Sequence, residues 1–381
     1  MSFPQFLKKR PYILALLASW RLKLLVFALS FSVLSGCGEP LVKQQSYVFG
    51  TLVEVSIYGE DDKKAETAAA EVLAEFDRLH RMLHAWKPSE LSTVNAAFAK
   101  GTVATISPEL AGIIGDATLL SQQSGDSFNP AIGKLVELWG FHADEFKPVN
   151  PSVEAIATLV RANPRMQEIA IGGGVASSAN QNAANLTARS ATPTTHSANP
   201  AVQLDLGGYA KGYALDRAVQ LLRARGIRNA LVNIGGNIIA LGEKGARPWK
   251  VGIQHPRRPG PIATLELYNN EAIGTSGDYQ RYFERDGKRY CHIIDPATGY
   301  PAQGVEAVTV VISPGASAGA LSDADSKPLF IAGVTGWRSA AARMNVNMAM
   351  LVDDKGEVYL TQALSRRLEF TLPKPLIHEV P

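Results

Sequence analysis

Cysteine is scarce in this sequence of 381 residues, which contains only Cys37 and Cys291. A disulfide framework is therefore excluded, and the 46% of hydrophobic residues must stabilise the chain through a sizeable core. Long apolar runs are lacking as well. The apolar stretch at residues 24–34 is shorter than the ~20 residues that a membrane-spanning helix needs.

Neither positive nor negative charge is in large excess once residues 1–37 are set aside. The formal net charge is +3, but five of the 38 basic side chains and none of the 35 acidic ones lie in residues 1–37. The remainder has 33 basic and 35 acidic side chains, a net charge of −2. Because no strongly basic body remains, nucleic acid is not expected as a partner.

Several common catalytic signatures are also missing. The sequence has no HExxH, no CxxC and no GxxxxGK[ST] loop, which argues against zinc, dithiol and P-loop chemistry. Residues 274–278 (GTSGD) come nearest to the nucleophile elbow of serine hydrolases. Asp278, however, stands where that motif has its second glycine.

The N-terminus has the features of an export signal. A basic region that ends at Lys23 precedes the short apolar stretch 24–34, and residues 34–37 (LSGC) follow. The LSGC sequence resembles a bacterial lipobox, in which Cys37 becomes the lipid-modified first residue of the mature protein. An ordinary cleaved signal is the alternative. We expect residues 1–37 to be a lipoprotein signal peptide, and the body to be held by acyl chains such as palmitate on the periplasmic side of an inner or outer bacterial membrane.

Apolar spacing along the body predicts a mixture of strands and helices. Residues 46–58 alternate as one half-buried strand with a bulge at Gly50. Helices are expected over about 61–83, from Ser107, from Asn129 to about 141, over 209–225 and near 322–333. Further strands are expected near 230–234, 249–254, 262–267, 289–294 and 307–312, before a closing hairpin of 348–353 and 357–360. Because strands and helices do not alternate regularly, we expect one α+β domain from about residue 42.

Residues 172–200 interrupt this pattern. They are rich in Gly, Ala, Ser, Thr and Asn and show no periodicity, which is typical of a flexible insertion. We place the insertion between two predicted strands at residues 167–171 and 202–206.

Two glycine-rich turns are candidate ligand sites. Residues 205–212 (DLGGYAKG) lead a strand into a helix, where backbone can approach a ligand, helix N–H groups can face a phosphate and Lys211 can add positive charge. Residues 233–237 (NIGGN) form a second turn of this kind. Both are equally compatible with turns that serve packing alone.

Two polar clusters complete the candidates. His292 and Asp295 surround an apolar strand end, and histidine suits proton transfer near neutral pH, although a lone histidine is more often structural. Asp323 and Asp325 lie at a predicted helix start, where acids usually act as caps but can also hold a hard cation. Together the four clusters predict a phosphate-bearing ligand.

The order and spacing of these clusters are similar to those of the ApbE family, the FAD:protein FMN transferases. The matching segments are 49–51, 86–95, 128–133, 138–141, 205–212, 231–237, 275–279, 292–301 and 322–330. The resemblance implies a single α+β domain of T-fold-like kind, with a mixed sheet and packed helices. It also implies FAD as substrate, Mg²⁺ at the pyrophosphate, and transfer of FMN onto a Thr or Ser hydroxyl of an exported or membrane flavoprotein with release of AMP.

The resemblance also implies roles for individual residues. It places the FAD contacts at Phe49, Trp86, Ser127, Phe128, Asn129, Asp205, Lys211 and Ile293. It places the metal ligands at Gly208, Asp323 and Ser326, and a role in proton transfer at His292.

Two positions depart from the family pattern. Phe49 stands where Met is usual, an apolar change that reshapes a pocket. Lys327 stands where the family has a metal-binding Thr, and an ammonium group cannot ligate a cation. Three explanations stay open: a metal held by fewer ligands, a catalytic Lys327 that itself neutralises the pyrophosphate, or a site that binds FAD without transferring it. The alternative functions are thus a non-catalytic FAD-binding lipoprotein and a metal-dependent FAD pyrophosphatase.

Overall fold

The computed structural model describes residues 40–173, 192–371 and 373–380. The predicted signal peptide with Cys37 and most of the predicted insertion, residues 174–191, lie outside the described residues. Residues Leu41–Pro381 form one compact unit. Within the described part of the chain, no helix is both long enough and apolar enough to cross a bilayer.

A nine-stranded sheet is the centre of the fold. Its strands, in spatial order, are β1 (Leu41–Val48), β2 (Thr51–Tyr58), β6 (Ala230–Ile234), β7 (Asn237–Leu241), β10 (Ala272–Gly277), β13 (Val305–Ile312), β14 (Met348–Asp353), β15 (Val358–Thr361) and β17 (Ile377–Val380). Neighbouring strands are antiparallel except for the parallel pair β15 and β17. The result is the mixed sheet that the family resemblance implied.

Three smaller sheets lie around this one. They consist of β3 (Ala104–Thr105), β5 (Thr194–Ser197) and β4 (Ile169–Gly172), of β16 (Glu369–Phe370), β9 (Pro261–Leu267) and β8 (Trp249–Gln254), and of β11 (Tyr282–Arg285) and β12 (Lys288–Cys291). Strands β8 and β9 pack on one face of the large sheet, since Val251 and Leu265 share a hydrophobic cluster with Ile238 and Ile273.

The helices of the described residues pack mainly on the opposite face. They are α1 (Asp62–Met82), α2 (Glu90–Ala99), α3 (Pro108–Ser124), α4 (Gly133–Leu138), α5 (Val153–Ala162), α6 (Ala210–Ala224), α7 (Ala318–Ala324), α8 (Ser326–Arg343) and α9 (Gln362–Ser365). Helix α3 begins as predicted, because the Ser107 hydroxyl accepts a hydrogen bond from the N–H of Leu110 and Pro108 occupies the first turn. Helix α1 buries Val72, Phe76 and Leu79 against β2 and β6.

The structure corrects several expected elements. The predicted strand 46–58 is a hairpin, because Phe49 and Gly50 adopt positive φ values of 57° and 71° and reverse the chain between β1 and β2. The helix expected near 322–333 is two helices, α7 and α8, with Gly333 out of helical conformation.

Further differences concern the small sheets and β10. The predicted strand 202–206 is absent, and only an isolated bridge joins Gln203 to Ile132. Thr194–Ser197, within the predicted insertion, is strand β5 instead. The strand expected over 289–294 ends at Cys291. Strand β10, in the middle of the large sheet, was not predicted, since its residues were noted only for their partial likeness to a nucleophile elbow.

Candidate active site

Close backbone contacts bring three of the sequence motifs together. A Cβ atom on Gly212 of α6 would lie 2.2 Å from the carbonyl oxygen of Gly319 in α7. A Cβ atom on Gly274 of β10 would lie 2.1 Å from the carbonyl oxygen of Ser322. Only glycine permits both approaches, and they set the helix that carries Asp323 against the first turn of α6.

Asp216 fixes the other end of α7. Its two carboxylate oxygens accept hydrogen bonds from the N–H groups of Gly319 and Ala320, over 2.7 and 2.8 Å. These N–H groups belong to the first turn of the helix and have no partner within it. Asp216 thus positions α7, and with it Asp323, relative to α6.

Asp323 is the centre of the polar site, and its side chain is only 2% exposed. Its Oδ1 atom lies 2.8 Å from Nζ of Lys327 and 3.3 Å from Nζ of Lys211. Its Oδ2 atom accepts a hydrogen bond from the N–H of Gly212 over 3.2 Å. The Lys327 ammonium also donates to the carbonyl oxygen of Asp323 over 2.5 Å. Two ammonium groups therefore share one carboxylate.

The pKa values of Asp323 and Lys327 are shifted by burial and by the contacts of each residue. Burial raises the pKa of Asp323, but Lys211 and Lys327 overcome this effect and hold the pKa well below its usual value. Burial lowers the pKa of Lys327, and the charge of Asp323 opposes that shift. Two lysine side chains thus face the single carboxylate of Asp323.

The segment around Phe128 lies next to this cluster. The N–H of Asp205 donates to Pro130, the N–H of Gln203 donates to Ala131, and the N–H of Gly133 donates to Gln203. These bonds hold the two motifs side by side. A Cβ atom on Gly208 would lie 2.8 Å from Cε of Lys327 and 3.6 Å from the Phe128 ring, so that three predicted site residues meet here.

Other predicted site residues form hydrogen bonds or packing contacts within the protein. The Ser127 hydroxyl donates to Ser124, and the Asn129 amide bonds to Pro164 and Ala131. The Ser326 hydroxyl bonds to Ser276 and to the carbonyl oxygen of Asp323. The Ile293 side chain is buried in the hydrophobic core. The structure places these residues beside the polar cluster, and their roles toward FAD or a metal stay predictions.

His292 lies at the same site and is held in one tautomer. Its Nδ1 atom is 3.2 Å from the carbonyl oxygen of Arg281, which can only accept, so Nδ1 carries the proton and Nε2 keeps a free lone pair. Burial, followed by the charges of Arg281, Lys211 and Lys327, lowers the pKa of His292 well below its usual value. The imidazole is therefore neutral and can accept a proton.

Arg281 is a site residue that the sequence analysis missed. Its guanidinium bonds to the carbonyl oxygen of Phe141 and lies 5.2 Å from the centre of the Phe146 ring. Burial lowers its pKa, and the charge of Asp205 opposes this. It adds a third cation to the site. Its position two residues after the segment 275–279 was the only available signal.

Phe49 and Trp86 each contact histidine side chains. The ring of Phe49 lies 5.5 Å from that of His80, and His80 lies 5.3 Å from His84. The Trp86 N–H donates to Nδ1 of His84, and the Trp86 ring lies 5.4 Å from that of His142.

These histidines were not predicted as site residues. Burial lowers the pKa of His84, and the charges of Asp144 and Asp205 oppose the shift. Ring contacts connect Phe49 to His80 and His84, and Trp86 to His142, and the roles of Phe49 and Trp86 toward FAD stay predictions.

Comparisons with known proteins identify the family to which the chain is similar. A sequence model described as the ApbE family matches residues 49–352. The FAD:protein FMN transferase of Rhodobacter capsulatus is 41% identical over 330 residues, which are 87% of this chain and 59% of that protein, so this chain spans less than two thirds of that relative. The FAD:protein FMN transferase of Treponema pallidum is 34% identical over 321 residues, which cover 80% of this chain and 84% of the relative.

Solved structures give the same answer for the fold. A crystal structure of the ApbE protein of Thermotoga maritima superimposes with a TM-score of 0.74 at 27% identity, covering 86% of this chain and 99% of that one. The apo form of the flavinyl transferase ApbE of Pseudomonas stutzeri superimposes with a TM-score of 0.70 at 26% identity, covering 86% and 97%. Because the family match covers most of its length, this chain belongs to the ApbE family.

Proposed function

We propose that this protein is an FAD:protein FMN transferase, the activity for which its relatives are named. The observation that carries the proposal is the meeting of Lys211 and Lys327 at the buried carboxylate of Asp323. Two ammonium groups at one carboxylate suit a pyrophosphate, which brings two negative charges to this point. The rings of Phe49 and Trp86 suit the flat ring systems at the ends of FAD.

The proposed reaction is a phosphoryl transfer onto a Thr or Ser hydroxyl of an acceptor flavoprotein. The hydroxyl oxygen attacks the phosphorus on the FMN side, and the bond from this phosphorus to the bridging oxygen breaks, so that AMP leaves with that oxygen. The hydroxyl proton passes to Nε2 of His292. Lys211 and Lys327 stabilise the charge that develops on the leaving phosphate.

Mg²⁺ was also expected at this site, with Gly208, Asp323 and Ser326 as ligands. The residues present do not fit such a metal, because Asp323 Oδ1 already accepts hydrogen bonds from two ammonium groups and the Ser326 hydroxyl is bonded within the protein. Among the described residues, no group of three or more His, Cys, Asp or Glu side chains could hold a metal ion. No step of the proposed reaction therefore uses a metal.

The activity can be tested with the chain from residue 38, which keeps the whole compact unit, together with FAD and an acceptor domain that bears a flavinylation threonine. Fluorescent flavin on the acceptor after denaturing electrophoresis supports the transferase, and an acceptor with that threonine changed to alanine is the control. Release of AMP without covalent flavin would indicate the pyrophosphatase. Bound FAD with neither product would indicate a binding protein.

We also propose that the protein is a lipoprotein anchored through Cys37 on the periplasmic side of a bacterial membrane. The support is the basic region, the short apolar stretch and the LSGC sequence at residues 34–37. Such an anchor would hold the active site near the membrane, where exported acceptor flavoproteins are located.

A further inference from the structure

The ammonium group of Lys327 contacts Asp323, the residue at which the family resemblance implied a metal ion. It lies 2.8 Å from the Oδ1 atom and 2.5 Å from the carbonyl oxygen of Asp323, and its side chain is only 16% exposed. Two oxygens of one buried residue are thus turned toward a single positive charge. A divalent cation at this point would have to displace the lysine, whose charge would repel it.

The neighbouring groups hold the lysine in this place. The stem of Lys327 passes next to Gly208, where a Cβ atom would lie 2.8 Å from Cε and 3.2 Å from Cδ. Lys211 contacts the same carboxylate oxygen of Asp323 and also donates to the carbonyl oxygen of Gly207 over 3.1 Å. Glycine at position 208 therefore leaves room for the lysine stem, and the two ammonium groups stand side by side at the start of α6.

We propose that Lys327 replaces the divalent metal in this enzyme, so that FMN transfer proceeds without Mg²⁺. The inference rests on the proposed transferase function and concerns the source of positive charge at the FAD pyrophosphate. Lys327 and Lys211 neutralise the phosphate of the departing AMP, while the hydroxyl proton moves to His292. No additional reactant is needed, because the bond formed to the acceptor oxygen replaces the bond broken to AMP.

The test compares the wild-type chain from residue 38 with Lys327→Thr. For the wild type we expect equal transfer rates in excess EDTA and in excess Mg²⁺, no bound divalent metal by elemental analysis, and no shift of the melting temperature with Mn²⁺. Lys327→Thr removes the ammonium and adds an oxygen beside Asp323. In EDTA its rate should fall by about 100-fold or more, and Mg²⁺ should restore part of it.

Binding provides a readout that is independent of activity. Lys327→Thr should gain Mn²⁺ binding, seen as a rise in melting temperature or a change in the Mn²⁺ resonance spectrum. Lys250→Thr is the matched control, because Lys250 pairs only with the exposed Glu369 on the surface, at 2.5 Å. It should behave like the wild type in every measurement.

The outcomes separate the two proposals. Wild-type transfer that stops in EDTA and returns with Mg²⁺ would overturn the inference and leave the transferase function intact. Absence of covalent flavin under every condition would overturn the transferase function itself. The wild-type measurements do not depend on the folding of a variant, so the inference is decided even if Lys327→Thr is unstable.

Discussion

At the scale of the residue, Asp323 and His292 show how burial and neighbouring charges set the properties of the site. Two ammonium groups hold the pKa of Asp323 well below its usual value, while burial, and after it the charges of Arg281 and the two lysines, lowers the pKa of His292. A ligand that brings negative charge would relieve the repulsion between Lys211 and Lys327. This arrangement suits the pyrophosphate of the proposed substrate FAD.

The role of His292 can be tested with His292→Gln. The variant loses the imidazole base, and the rate of FMN transfer at saturating FAD should fall by about 10²–10⁴-fold. FAD affinity, measured by quenching of flavin fluorescence, should change little, because the lysines and aromatic residues remain. A transfer rate that is unchanged at every pH tested would rule out proton transfer through this histidine.

A second prediction concerns Asp325, whose buried Oδ1 atom has no hydrogen-bond partner. Burial raises its pKa to about 8, against 3.8 for the unfolded group. The native state therefore keeps a proton that the unfolded state loses, and the free energy of unfolding should fall as pH rises from about 4 to about 8. Because one proton is involved, the loss can reach about 1.4 kcal/mol per pH unit.

Urea unfolding at about pH 5, 7 and 9 measures this dependence. Asp325→Asn removes the titrating group at nearly constant volume. Its stability should match the wild type at low pH and exceed it at high pH. Parallel pH curves for the two proteins would show that Asp325 does not carry the effect.

At the scale of the element, the crossing of α6 and α7 brings the lysines to Asp323. Gly212→Ala tests this, because the new Cβ atom would lie 2.2 Å from the carbonyl oxygen of Gly319 and force the helices apart. We expect a loss of stability of about 1–3 kcal/mol and weaker FAD binding. The measurements are urea unfolding and fluorescence titration.

Gly112→Ala is the matched control for this change. Gly112 lies within α3, and nothing lies within 4 Å of a Cβ atom placed on it. The same substitution should therefore raise stability slightly, by about 0.5–1 kcal/mol, and leave FAD binding unchanged. Equal effects of the two alanines would show that the helix crossing does not need Gly212.

Elements with strong local signals were predictable, and those shaped by distant contacts were not. The start of α3 was predicted from Ser107 and Pro108, because a cap acts within one turn. The hairpin at Phe49 was missed, because apolar alternation continues on both sides and Phe is unusual at positive φ. Strand β10 was missed because its small residues reflect the close approach of α7 at Gly274, a contact distant in sequence.

In the candidate site, too, residues within recognisable motifs were predictable, and features that depend on contacts distant in sequence were not. Motif spacing identified Lys211, His292, Asp323 and Lys327, since their segments resemble those of the ApbE family. Arg281 was missed because its charge reaches the site only through the fold, beside His292. Sequence also left the relation of Lys327 to Asp323 open, because the direction of a lysine side chain depends on what packs against its stem.

At the scale of the whole molecule, the site is formed by segments that are far apart along the chain. Residues near positions 128, 208, 274 and 323 meet beside the large sheet, to which Gly274 belongs as part of β10. Each segment alone is compatible with a structural role, as the glycine turns illustrate. The functional interpretation therefore rests on the convergence of these segments and not on any single motif. The proposed lipid anchor at Cys37 would determine where in the cell the folded domain acts.

The proposed anchor predicts that palmitate labelling depends on Cys37 and not on Cys291. The full-length wild type, expressed in a bacterium supplied with labelled palmitate, should incorporate the label at Cys37 and appear in the membrane fraction. Cys37→Ser should incorporate none and keep residues 1–36, as mass spectrometry would show. Cys291→Ser is the matched control, because Cys291 is only 1% exposed within the core and should leave labelling unchanged.

Replacement of residues 1–37 by an ordinary cleaved leader should release the protein from the membrane without reducing its transfer rate on a soluble acceptor domain. This follows because the residues of the active site all belong to the compact unit from Leu41 onward. Palmitate labelling of Cys37→Ser equal to that of the wild type would contradict the anchor. A released protein that transfers FMN normally to the soluble domain, but slowly to a membrane-bound acceptor, would show that the anchor serves to bring enzyme and acceptor together.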